Sequence, residues 1–165
     1  MNKFSLIIIA MCIAGYSHAE VDSKKLYFGG GLGLNSLSGI DFSDGMGFQI
    51  FAGYELPVKI TDGTLSVEAG YMDSGNMDAG VNIPGLGIFS AETKAKGLWV
   101  NAVVDFPLKD KLSFVGRAGL DLGDDDGIML GGGVGYQLDE KMQVRAEYVI
   151  RDHVDSLQAN LVIRM

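Results

Sequence analysis

Strict alternation of apolar and polar residues, repeated in eight separate runs, is the feature that most restricts what this chain can fold into. In the closing run, SLQANLVIRM, Leu157, Ala159, Leu161, Ile163 and Met165 alternate with Ser156, Gln158, Asn160 and Arg164. A β-strand has a side-chain period of two, so such a run has one apolar and one polar face. Comparable runs lie near 25–35, 46–56, 64–73, 95–106, 112–122, 127–138, 142–151 and 156–165, parted by Gly, Asp, Ser and Pro clusters. Most are about 10 to 12 residues long, the length a tilted strand needs to cross a bilayer. Beyond the first 20 residues there is no 18-residue apolar stretch and no helical 3-4 spacing.

Sorting the runs by parity yields two consistent sets. One is apolar and free of charge, for example Phe48, Ile50, Ala52 and Tyr54, or Leu98, Val100, Ala102, Val104 and Phe106. The other is small and polar: Gly29, Gly31 and Gly33; Ser66, Glu68 and Gly70; Arg117 and Gly119; Gly131, Gly133 and Gly135; Gln143, Arg145 and Glu147. A soluble lipocalin-like barrel turns the apolar set inward, whereas a membrane barrel turns it toward lipid. The glycine-rich polar set suits a narrow eight-strand interior, and an exposed face has no reason to shrink. Aromatics of the apolar set (Tyr54, Tyr71, Phe106, Tyr136, Tyr148) gather near the run ends, as interfacial girdles do. The fold expected is therefore all-β: an eight-stranded antiparallel up-and-down transmembrane β-barrel. Hydrocarbon cannot satisfy a free backbone edge, so the first run should pair with the last.

The N-terminal segment supports export. Lys3, the apolar run from Phe4 to Ala14, and the small-x-small end Ser17-His18-Ala19 read as a secretory signal peptide over 1–19, cleaved between Ala19 and Glu20. The barrel domain is then 20–165. Cys12 is the only cysteine and leaves with the signal, so no disulfide is expected. Loss of Lys3 takes the formal charge from −8 to −9, which argues against nucleic acid as a partner. With both termini periplasmic, the inner turns are expected at Pro57–Gly63, Pro107–Lys111 and Asp139–Lys141. Outer links are expected at 36–45, 74–94, 123–126 and 152–155.

Within the polar set, Glu68, Arg117, Arg145 and Glu147 lie about three to five residues from the inner ends of their runs, at comparable heights. Buried charges require partners, so a lumenal ion-pair cluster is expected, joined by Arg164. Such a cluster plugs the lumen.

The segments YFGGGLGLNS and VRAEYVIRDHVDSLQANLVIRM resemble the opening and closing strands of the OmpA/OmpX-like outer membrane β-barrel family, and the resemblance extends over essentially the whole chain after the signal. It implies residence in the outer membrane of a Gram-negative bacterium, among outer membrane lipid and lipopolysaccharide, with insertion by the barrel assembly machinery. It also implies a lumenal ion-pair cluster like that of the OmpA branch. The family usually ends on Phe with an aromatic two positions earlier, whereas this chain has Met165 and Ile163 there. No periplasmic peptidoglycan-binding domain is expected after the barrel.

The expected role is structural or one of surface interaction (adhesion, envelope integrity), with no enzyme activity and no cofactor. The alternatives are a lipid A-modifying enzyme and a small-solute pore. For the enzyme, His153 stands in RDHVDS with Asp152, Asp155 and Ser156; a general base needs a hydroxyl in reach, and a solvated turn is the expectation. No metal site is expected, GDDDG (Asp124, Asp125, Asp126) being a weak candidate for a hard cation. The segment GVNIPGLGIFS is unusually apolar for an outer loop; Val81, Ile83, Leu86, Ile88 and Phe89 are candidates to cover the mouth, lie at the interface, or contact a host or surface protein.

Overall fold

The computed structural model describes residues 22–37, 44–83 and 87–165. A 3-10 turn, Ser23–Lys25, is capped by the Asp22 carboxylate and leads into the first strand. The strands are β1 Leu26–Leu37, β2 Gly45–Ile60, β3 Gly63–Asp73, β4 Met77–Ile83, β5 Gly87–Thr93, β6 Lys96–Lys109, β7 Leu112–Asp121, β8 Gly127–Gln137, β9 Met142–Ile150 and β10 Val154–Arg164. Eight of them close an antiparallel barrel in the order β1-β10-β9-β8-β7-β6-β3-β2. The seam is β1 on β10, running from Tyr27 opposite Arg164 to Leu37 opposite Val154. Closure leaves the barrel without an unpaired edge, the condition for a sheet in hydrocarbon. The signal peptide and the Ala19–Glu20 junction lie outside the described residues.

The apolar set faces outward. Along β6 the exposure alternates, with Leu98 at 60% and Val100 at 38% beside Trp99 and Asn101 at 1% each. Phe28, Leu32, Ile50, Phe114, Leu130, Tyr148, Leu157 and Ile163 are likewise exposed, while Glu68, Arg117, Arg145, Glu147, Gln158 and Asn160 are buried. This is the arrangement of a barrel bathed in lipid and inverts that of a soluble carrier.

The lumen is more apolar than the polar set suggests. Tyr27, Phe51, Met72, Trp99, Met129, Val149 and Val162 form a buried cluster inside it. Glycines on neighbouring strands make the space: a Cβ at Gly53 would run into the Tyr27 ring, and one at Gly29 into the Phe51 ring. A narrow barrel thus alternates large and small interior side chains to reach close packing.

Two expected boundaries move. β2 runs on through Pro57 to Ile60, and β6 through Pro107 to Lys109, each with a register shift next to its proline. Proline cannot donate to the ladder but is accommodated at a bulge. These two inner turns shrink to two residues each, and Thr61 and Asp110 take left-handed φ values of 57° and 55° to close them, whereas the β8–β9 turn spans 138–141.

The outer link expected over 74–94 is largely strand. β4 and β5 form a separate two-stranded hairpin in the link between β3 and β6. Its base is anchored where Met77 packs with Ala95, Val154 and Leu37.

Candidate functional site

β3, β7 and β9 turn Glu68, Arg117, Arg145 and Glu147 into the lumen because each stands at inward parity on its strand. All four side chains are at most 2% exposed. The Arg145 guanidinium donates through Nη1 to Glu68 Oε1 at 2.7 Å, and the Tyr27 hydroxyl donates to the same oxygen at 2.8 Å. Arg117 donates through Nε to Glu147 Oε2 at 2.8 Å, and its Nη2 lies 3.6 Å from Glu68 Oε2. Two cations and two anions therefore alternate around the lumen with no net charge. Aromatic faces complete the cage: Arg117 lies 5.7 Å from the centroid of Trp99, and Arg145 5.7 Å from that of Tyr27.

The network extends in both directions. Toward the outer end, Asn160 donates to Glu147 at 2.9 Å and accepts from Gln49 at 2.7 Å. Above it, Arg151 is paired with Asp121 at 3.0 Å and donates to the Ser156 hydroxyl at 2.7 Å. Toward the inner end, Arg145 Nε donates to Gln143 at 3.0 Å, and Gln143 donates to Asp105 and Ser113. Arg164 is a correction to the sequence expectation. It pairs with Glu55 at 3.2 Å and reaches the four-charge cluster only by donating to Gln143 at 3.4 Å. Its position on the last pleat of β10 puts it at the inner rim.

Tyr27, Gln143, Asn160 and the Arg151–Asp121 pair also belong to the network, and the sequence reading did not assign them to it. All stand at inward parity, and that parity was the available signal. The stack fills the lumen with buried side chains, although Glu68 Oε2, Arg117 Nη2 and Gln49 Oε1 are left without a hydrogen-bond partner.

The outer turns carry a second arrangement. Asp125, buried to 3%, accepts from the His153 and Val154 backbone amides at 2.9 and 3.0 Å, and its carboxylate meets His153 Nδ1 at 2.8 Å. It ties the β7–β8 turn to the β9–β10 turn. The hydrogen bond and charge of Asp125, with Asp152 adding to them, raise the His153 pKa above its ordinary value. Asp124 accepts from the Lys96 amide, and Asp126 is exposed. The three aspartates thus have separate roles, and among the described residues no group of three acidic, His or Cys side chains could hold a metal. The Ser156 hydroxyl is engaged by Arg151 and Asn35, away from His153, so a nucleophile–base pair is not assembled there.

In the β4–β5 hairpin, Val81 stands opposite Phe89, Asn82 opposite Ile88 and Ile83 opposite Gly87. Leu86 lies outside the described residues.

The family model for the outer membrane protein beta-barrel domain matches residues 4–161. No curated protein matches the chain. Among solved structures, a de novo designed transmembrane β-barrel aligns with TM-score 0.58 and 15% identity, over 89% of this chain and all of that one. Ail, the attachment invasion locus protein of Yersinia pestis, aligns with TM-score 0.51 and 14% identity, over 85% of this chain and 96% of Ail. The outer membrane enzyme PagL gives TM-score 0.51 and 13% identity, over 84% of this chain and 99% of PagL. At these identities the likeness is one of fold.

Proposed function

Because the chain belongs to the outer membrane protein β-barrel family, and so is an integral protein of the outer membrane, we propose that it serves there as a non-catalytic structural and surface-interaction element. The observation that carries this reading is the filled lumen: paired Glu68, Arg117, Arg145 and Glu147 stacked with Tyr27, Phe51 and Trp99. Eight strands enclose little more than side chains, so a packed axis suits a scaffold better than a pore. Loops on a rigid scaffold commonly carry function, and here the outer links include the β4–β5 hairpin, whose sequence holds the apolar residues Val81, Ile83, Ile88 and Phe89.

On this reading the signal is removed after Ala19, the barrel assembly machinery inserts the chain, and the hairpin meets a host or surface protein. The test combines two measurements. Purified protein in a planar bilayer should give no steady conductance steps, and deleting 80–90 should reduce adhesion of expressing cells while the barrel still folds. Discrete channel openings would overturn the scaffold reading, and undiminished adhesion would remove the hairpin from it. The non-catalytic part is checked separately: the lipid A mass spectrum of cells expressing His153→Ala should match that of cells expressing the intact chain, and a difference would make the protein an enzyme.

A further inference from the structure

The lipid-facing wall is not uniformly convex. Across β1, β2, β3 and β6 it carries an apolar groove of about 700 Å³, within the size range of small-molecule sites. Its floor is low because the outward side chains there, Ala52 and Ala69, are small, while Ile50, Tyr71 and Leu98 stand around it. Trp99, the only tryptophan in the chain, lies directly beneath the floor, and a Cβ at Gly70 would meet its ring edge at 2.6 Å.

The charge at the outer end of this groove differs from that of the rest of the rim. Register places Lys96 opposite Asp73, one pleat beyond Leu98 and Tyr71 and at the same outward parity. Lys94 reaches Asp73 at 2.9 Å and is 44% exposed. Among the described residues these are the exposed lysines of the outer end, where Asp44, Asp124, Asp126 and Asp152 are also exposed. An otherwise acidic rim thus presents its cations directly above its apolar groove.

We propose that the groove is a specific site for lipid A, with an acyl chain lying over Ala52 and Ala69 and a phosphate held by Lys96, seconded by Lys94. The groove is continuous with a wall that already faces hydrocarbon, so its natural occupant is an acyl chain. The exposed ammonium of Lys96 complements a phosphate in the outer leaflet. The inference rests on the lipid-facing orientation alone and is independent of whether the protein binds a host partner.

Trp99 supplies the readout. The full chain is reconstituted in vesicles of brominated phosphatidylcholine, whose chains quench the tryptophan, and lipid A or phosphatidylglycerol is titrated in. Lipid A should restore Trp99 fluorescence at a mole fraction at least several-fold below that needed by phosphatidylglycerol. Lys96→Gln should abolish that preference, and Ala69→Phe, which fills the groove, should remove the recovery by either lipid beyond simple dilution. Should Ala69→Phe fail to fold, as read by its gel mobility before and after boiling, Ala52→Leu takes its place. Equal recovery with phosphatidylglycerol, or an unchanged preference in Lys96→Gln, would overturn the proposal.

Discussion

At Glu68, two donors meet one carboxylate oxygen that has no access to solvent: the Arg145 guanidinium and the Tyr27 hydroxyl. Glu68→Ala would leave the Arg145 cation uncompensated in the lumen, at a cost of about 3–5 kcal/mol. The melting temperature in detergent should fall accordingly. Glu68→Gln preserves an acceptor for Tyr27 and should lose less. Equal melting of Glu68→Ala and the unaltered protein would show that the four charges contribute no stability. This cluster was legible in the sequence because a charge at inward parity, in a closed barrel, has no partner but another inward charge. Phe51 and Trp99 were not legible, because each is flanked by apolar residues of the outward set, as in IFA and LWV, so the period of two disappears where both faces are hydrophobic.

The elements differ in how much local sequence decides. The barrel strands lie where alternation placed them, because one face meets lipid and the other a packed lumen. The β4–β5 hairpin lies where the sequence predicts an outer link, because pairing between its two arms leaves no signature in either arm alone. Prolines in β2 and β6 likewise look like strand ends until a bulge absorbs them. The clasp between outer turns was invisible for a different reason: Asp125 and His153 are distant in sequence and meet only after β8 and β9 pair. Its pH dependence has a definite sign. The folded His153 pKa is raised, so the stabilisation by Asp125 is fully present below about 6.5, the unfolded value, and is lost as pH rises through the folded pKa. Hydrogen exchange at the Val154 amide, which Asp125 holds, should therefore be slower at pH 5.5 than at 8.5 after correction for intrinsic exchange. His153→Ala should erase that difference, and Asp125→Ala should leave fast exchange at both values. A pH response that survives His153→Ala would assign it to another group.

At the scale of the whole molecule, everything depends on which side of the sheet meets lipid, and two adjacent residues of β9 allow a direct test. Arg145 is buried and paired in the lumen, whereas Ala146 faces outward at the middle of the nine-residue strand, opposite Val134 and Ala159. The strand thus carries an arginine in one register position and would reject it in the next. If the outer surface is immersed in hydrocarbon, Ala146→Arg puts a cation near the bilayer midplane and should cost about 2–4 kcal/mol. Lys111, exposed in the inner turn, supplies the control: Lys111→Arg should leave stability within about 0.5 kcal/mol, as surface changes usually do. Reversible unfolding of the two variants in phospholipid vesicles, followed by the loss of the fast-migrating unboiled form on a gel, measures both. A barrel whose outward face met water would tolerate Ala146→Arg as readily as Lys111→Arg, because an exposed cation there would remain hydrated. Equal stabilities would therefore show that the outward face does not meet hydrocarbon and that the lumen holding the Glu68–Arg145 and Arg117–Glu147 pairs is not enclosed by membrane.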